Sequence, residues 1–334
     1  MQRAILTAIG LGLVSAVVFA SAAARPNALG VALYLVTMLP LFLAGLGWGW
    51  RMGVIAALAS SAALALIGGP ATAASFAVSQ AAPATLLSYL ALLQRDVTRP
   101  DGTQGTEWYP IGRLVLWTVF FAGVLTPLVF LLLGGDIDTV KSQLRDGMKA
   151  SIEQSLPKVD GKPPLSGTDI DQLAKAFVDL LPAGLAVSVV SSLLFNLWLA
   201  ARITWASGQL ERPWPALDET ALPRGTPLLL LAALVTMNLG GFPAISGLAF
   251  SGGLFIAFVL IGLAVVHHLT RGKAWRPFAL AALYLGVLFL VIPGTPIPLV
   301  LLIALLGIAD TVADLRRLNR GGTGPPPLTP STST

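Results

Sequence analysis

A chain of 334 residues that is 55% hydrophobic and 11% charged, with a mean hydropathy of +0.79, has too few polar side chains to cover a water-facing globule of its size. Its net charge of +5 is spread as single basic residues between apolar runs, which argues against a nucleic-acid partner. The absence of Cys removes disulfides, thiolate metal sites and cysteine nucleophiles, and the two histidines, His267 and His268, supply zinc chemistry poorly, so no metal or other cofactor is expected.

Apolar runs close to the ~20 residues that carry a helix across ~30 Å of hydrocarbon recur along the chain. Lipid offers no partners to backbone N–H and C=O groups, so these runs must be helices. The expected fold is therefore all-α, a polytopic transmembrane bundle of about ten spans in contact with the lipid bilayer. The first run, Ala4 to Ala24, follows Arg3 and ends near Ala20-Ser21-Ala22, a pattern shared with cleaved secretory signals. Its length and the spans behind it favour a retained helix, with cleavage left open. Ala4, Ala8, Gly12, Ala16 and Ala20 recur at every fourth position and form a seam along which a partner helix could approach closely.

The second and third spans run from about Leu29 to Gly47 and Gly53 to Gly68, separated by the interface anchors Trp48-Gly-Trp50-Arg51. Pro40 lies inside the second and should kink it. The fourth, about Thr72 to Leu93, holds Gln80 and Pro83 at depth, as packing and kink features or as part of a ligand site. A polar loop from Arg95 to Arg113 carries the turn signal Arg99-Pro-Asp-Gly102, and a fifth span follows to Leu133.

Asp136 to Asp179 is the long polar insert. Ile137, Val140, Leu144, Met148, Ile152 and Leu156 predict an amphipathic helix, Pro157 to Gly167 a linker, and Thr168-Asp-Ile-Asp171 the capped start of a further helix. On that helix Ile170, Leu173, Phe177 and Leu180 share one face, so the insert reads as a solvated connector or a binding lid. The sixth span, Pro182 to Ala201, must end before Arg202, because an arginine at the bilayer centre costs ~2.5–3.5 kcal/mol. Glu211-Arg-Pro-Trp-Pro215 reads as an interface anchor. Spans from about Pro227, Ser246, Pro277 and Pro296 complete the set, and the breaks Gly240–Pro243 and Pro293–Pro298 read as tight turns in preference to unwound binding segments.

The organisation is then an N-terminal five-span block over 1–134, an extramembrane insert over 135–181, a C-terminal five-span block over 182–318 and a disordered tail over 319–334. Most Lys and Arg outside the insert fall on one side if both termini are cytoplasmic, which is the orientation expected in a bacterial plasma membrane. Gln80, Asn196 and Asn238 are the candidate substrate-binding groups, although each could simply bond to a neighbouring helix. Asp310 and Asp314 share a helix face with Arg317 one turn beyond and form a possible ion pair, while His267-His268 reads as a snorkelling helix end. The span centres carry no ionisable residue, and there is no phosphate loop, zinc helix or nucleophile elbow, so neither a proton pump nor an enzyme is expected.

Several stretches, in order, resemble the YybS-like family of predicted bacterial membrane proteins, a domain of unknown function. They are Leu39-Pro-Leu41 with Gly45 to Gly49, Pro83 with Leu90 to Arg95, Glu107 to Arg113, Asn196 to Arg202, Arg212 to Pro215, and Gly307 to Asp310 with Asp314 to Arg316. Thr85-Leu86 stands where tryptophans are usual, and Leu315 where Phe is usual. The resemblance implies a remote relation to the substrate-binding membrane subunits of energy-coupling-factor vitamin transporters. It also implies a helical bundle that binds a small molecule and docks through small-residue seams on a membrane protein partner or ATPase module. A transport-related component binding a small hydrophilic solute is the leading expectation, and a non-transporting envelope scaffold is the alternative.

Overall fold

The computed structural model describes residues 1–25, 27–98, 102–134, 136–155, 165–289 and 298–316. Arg317, the tail, the Arg99–Asp101 part of the turn signal, and most of the 157–167 linker and of the Pro293–Pro298 break lie outside them. Regular structure is overwhelmingly helical, and six of the described helices are long and apolar enough to cross a bilayer. The chain packs as two compact units: Met1–Pro215 with Leu228–Ile256, and Ala216–Pro227 with Ala257–Thr334.

In the first unit, α1 (Gln2–Ala23) buries Ala8, Gly12 and Ala16 against α4 (Trp50–Phe76). A Cβ on Gly12 would lie 2.3 Å from the Ala56 carbonyl oxygen, and Ser60 Oγ donates to the Gly12 carbonyl at 2.8 Å. Contact this close requires the small residues. The predicted seam is thus filled from within the chain, with Ala4 and Ala20 half-buried at its ends, rather than left free for another protein.

The second predicted span is two helices, α2 (Ala28–Val36) and α3 (Leu39–Gly47). Pro40 has no N–H to offer the Val36 carbonyl and its ring crowds that position, so the helix breaks at Thr37–Met38. The run Trp50–Ala91 comprises α4, a π-helical turn at Ala77–Ala81, and α5 (Ala82–Ala91). As a straight rod its 42 residues would measure about 63 Å, twice the hydrocarbon thickness. Instead it reverses at Gly69, whose φ of +82° suits glycine, followed by Pro70. The Trp50 and Tyr89 rings meet at 5.4 Å, a contact that requires the two legs to run back against each other. Those legs coincide with the third and fourth predicted spans.

The segment after α5 departs from the purely helical expectation. β1 (Gln94–Thr98) and β2 (Gln104–Trp108) pair antiparallel, with Arg95 opposite Glu107 in an ion pair of 2.6 Å. α6 (Ile111–Gly134) and the amphipathic α7 (Ile137–Ser155) follow as expected. α8 (Gly167–Ala206) then runs 40 residues from the insert through Pro182 without interruption. Its capping box is Ser166 with Asp169, not Thr168 with Asp171; Asp171 is instead bound by Arg145 of α7. Ile170 is buried, whereas Leu173, Phe177 and Leu180 are exposed, so the predicted single face is divided. α9 (Thr226–Thr236) and α10 (Gly241–Leu269) are joined by a tight turn through Gly240, as predicted.

The second unit contains the later part of α10 with α11 (Arg276–Phe289) and α12 (Pro298–Ala313). α10 and α12 touch backbone to backbone: a Cβ on Gly307 would lie 2.0 Å from the Phe258 carbonyl oxygen.

Candidate functional site

The break between α2 and α3 leaves carbonyl groups in need of donors inside an apolar bundle. Two helices supply them. Ser15 Oγ of α1 donates to the Thr37 carbonyl at 2.7 Å; from α8, Asn196 Nδ2 donates to the Leu35 carbonyl at 2.5 Å, with Ser192 Oγ on the same oxygen at 3.2 Å. Asn196 is fully buried, and because its NH2 also donates to the Ser192 carbonyl at 2.8 Å, its Oδ1 is left without a partner among the described residues.

Gln80 arrives at the same helix from another direction. It sits on the π-helical turn, is 2% exposed, and donates from Nε2 to the Tyr34 hydroxyl at 2.8 Å. Its Oε1 also has no partner among the described residues. The wider turn of a π-helix displaces side chains from the α-helical register, and such turns are frequent at functional sites.

Tyr34 closes one end of a cavity of 420 Å³ between the last turns of α1 and the first turns of α2. That volume lies within the ~300–1,000 Å³ of small-molecule pockets. Phe19, Ala22, Ala23 and Val31 give it apolar walls, and Phe19 is held by ring contacts to Phe76 at 5.2 Å and Tyr34 at 6.2 Å. Arg25 and Asn27 stand at the opposite end, where Asn27 Oδ1 caps α2 by accepting from the Gly30 N–H at 3.1 Å. The arrangement offers hydrocarbon walls, a hydroxyl backed by an amide, and one guanidinium, which suits recognition of a molecule with an apolar body and polar ends. Arg25 and Tyr34 were not singled out by sequence, but a signal was there: residues 1–95 contain no Asp or Glu to balance Arg25.

Of the three predicted amides the structure brings Gln80 and Asn196 to the broken helix and leaves Asn238 out. α9 ends at Thr236, so Asn238 lies in an exposed turn with its amide folded back on the Leu234 carbonyl at 2.8 Å. The expected pairing of Asp314 with Arg317 lies outside the described residues, while Asp310 pairs with Arg316. α12 stops at Ala313 and Asp314 adopts a left-handed φ of +49°, turning the chain so that Arg316 meets Asp310. Arg316 Nη2 lies 2.7 Å from Asp310 Oδ2 with both groups buried, and Nη1 donates to the Asp218 carbonyl at 2.9 Å. Asp218 Oδ2 lies 2.5 Å from Arg271 Nη2 and 3.7 Å from His268 Nδ1. His268 is nearly buried, whereas His267 is half-buried and its Nε2 contacts the Tyr284 hydroxyl at 3.2 Å on the exposed side.

Arg202 and Arg212 act as anchors. The Arg202 guanidinium lies 4.6 Å and 5.1 Å from the ring centres of Trp205 and Trp214. Arg212 donates to the Ala91 carbonyl at 3.1 Å, at the C-terminal end of α5, and burial lowers its pKa from the ordinary arginine value.

The fold defines a polytopic α-helical membrane protein with a small cavity between α1 and α2. The family described as Predicted membrane protein (DUF2232) matches residues 13–311, and the chain belongs to it. No curated protein and no solved structure matches.

Proposed function

We propose that this protein is a transport-related membrane component that binds a small molecule in the cavity between Phe19 and Tyr34. The observation that carries the reading is the meeting of that cavity, through Tyr34, with a buried amide whose oxygen has no partner among the described residues. A buried unsatisfied acceptor costs ~1–3 kcal/mol. Its position beside an interrupted helix matches the way discontinuous membrane helices build substrate sites. The apolar walls favour an amphiphile over the hydrophilic solute first expected. The resemblance to the YybS-like family, and through it to energy-coupling-factor subunits, supports the same direction, with an ATPase module as partner. Ten crossings, both termini cytoplasmic, and a bacterial plasma membrane belong to the same proposal.

Native mass spectrometry of protein extracted in mild detergent tests it. Wild type should carry a small molecule that is lost in Tyr34→Phe/Gln80→Leu, with helicity unchanged. An empty wild type over repeated preparations would count decisively against the reading.

The alternative, a non-transporting envelope scaffold, draws on the ridge of Leu173, Phe177 and Leu180, which are 40%, 53% and 63% exposed on the part of α8 that precedes Pro182. Photo-crosslinking from position 177 should then trap a protein rather than lipid.

A further inference from the structure

The cavity has a polarity, and that polarity names a ligand class. Arg25 stands at one end and makes no ion pair or side-chain hydrogen bond among the described residues. Its charge has no acidic neighbour along the chain either, since the first Asp or Glu is Asp96. Beside it, Asn27 uses its oxygen to cap α2, which leaves its NH2 as a donor at the positive end of that helix. A guanidinium matches the geometry of phosphate oxygens, with paired charge-assisted hydrogen bonds. The anion-binding end is therefore built from Arg25, Asn27 and the start of α2.

The remainder is hydrocarbon. Phe19, Ala22, Ala23 and Val31 line the wall, and the seven-residue rise from Asn27 to Tyr34 measures about 10 Å along the helix. Val31 of that wall is 62% exposed and Leu35, one turn on, is 39% exposed, an apolar flank suited to acyl chains.

We infer that the cavity takes one anionic phospholipid, its phosphate on Arg25 and Asn27 and the start of one acyl chain along Phe19 and Val31 toward Tyr34. This rests on the binding reading above and supplies its ligand class. The cation marks the headgroup end, and the apolar flank distinguishes a lipid from a soluble anion.

The test uses full-length protein in nanodiscs of phosphatidylcholine, with and without phosphatidylglycerol, and native mass spectrometry to count retained lipid. Wild type should retain one phosphatidylglycerol with about tenfold preference over phosphatidylcholine, equivalent to ~1.4 kcal/mol. Arg25→Gln should abolish the preference and Arg25→Lys should keep most of it. Ala23→Phe, which fills the cavity, should lose the retained lipid altogether. Because the Arg25 side chain has no partner among the described residues, these variants should fold, as unchanged helicity would show. An undiminished preference in Arg25→Gln overturns the inference. So does stabilisation of wild type by inorganic phosphate in lipid-free detergent equal to that by phosphatidylglycerol, which would identify a soluble anion. A co-purifying neutral molecule that depends on Tyr34 and Gln80 would refute the phospholipid and leave the binding reading standing, whereas retained lipid unaffected by Ala23→Phe together with no other ligand would remove both.

Discussion

The two units handle buried polarity in opposite ways. Around the α2–α3 break, the first unit satisfies backbone carbonyls with neutral groups only: Ser15, Ser192 and Asn196. The second unit buries a charge pair, Asp310 against Arg316, and sets the largely buried Asp218 against the exposed Arg271. An amide or hydroxyl can remain in an apolar interior with a spare lone pair at modest cost, whereas an unpaired ion cannot. The neutral site can therefore keep open acceptors for a ligand, while the ionic cluster has little to offer a ligand and holds the turn after α12 against Asp218.

The ionic cluster should be the more fragile of the two. Arg316→Ala leaves the Asp310 carboxylate buried without its cation and removes the hydrogen bond to the Asp218 carbonyl. Breaking one side of a buried pair costs ~3–5 kcal/mol. Denaturant titration in detergent should show a loss of that order, much of it recovered in the double variant Asp310→Leu/Arg316→Met. Equal damage in single and double variants would mean that the charges are not the source of the instability.

This contrast was only partly visible in the sequence. The helices themselves were legible because bilayer thickness fixes their length, and Gly69-Pro70 and Gly240 are turn chemistry that local composition reveals. Pro40 announced a kink, but the donors that satisfy the break come from residues 15, 192 and 196, and no local pattern joins positions so far apart. The Asp310–Arg316 pair was missed because helical spacing, which set Asp314 beside Arg317, was extended past a point where the helix stops. The left-handed Asp314 ends it and turns Arg316 back to Asp310. β1 and β2 were missed because their strands are short and polar on both faces, and their register shows only once Arg95 is placed opposite Glu107. The capping box was misplaced because two acceptable acid spacings overlap, Ser166 with Asp169 and Thr168 with Asp171, and contact with Arg145 decides which acid is free to cap.

The neutral site should tolerate loss and reject charge. Asn196→Leu removes one donor from the Leu35 carbonyl, but Ser192 Oγ still reaches that oxygen. Interhelical hydrogen bonds in membranes are worth ~0.6 kcal/mol on average and ~1.7 at most, so the loss should fall in that range. Asn196→Asp should be considerably worse, because a carboxylate cannot donate to the carbonyls and adds a charge where no cation waits. If the two variants prove equally stable, the distinction between a neutral and an ionic unit fails.

The smallest effect lies outside both sites and shows what a charge does at a wet helix end. Asp136 accepts from the Thr139 N–H at 3.2 Å and from the Thr139 hydroxyl, capping α7. Those bonds, the hydroxyl's first, hold its carboxyl below the ordinary value of 3.8. A depressed folded-state pKa means that the cap's contribution is present at pH values above 3.8 and is lost as acid carries the group through its lower folded value. Amide exchange at Thr139 and Val140, compared at a common intrinsic rate, should therefore show protection that holds down to about pH 4 and fades below it. Asp136→Ala should remove that acid-dependent step while leaving the buried Asp310–Arg316 pair and the α2–α3 break untouched. A step that persists in Asp136→Ala would mean that the cap is not its source. The exposed charge would then be as dispensable as the carboxyl of Asp310 is not.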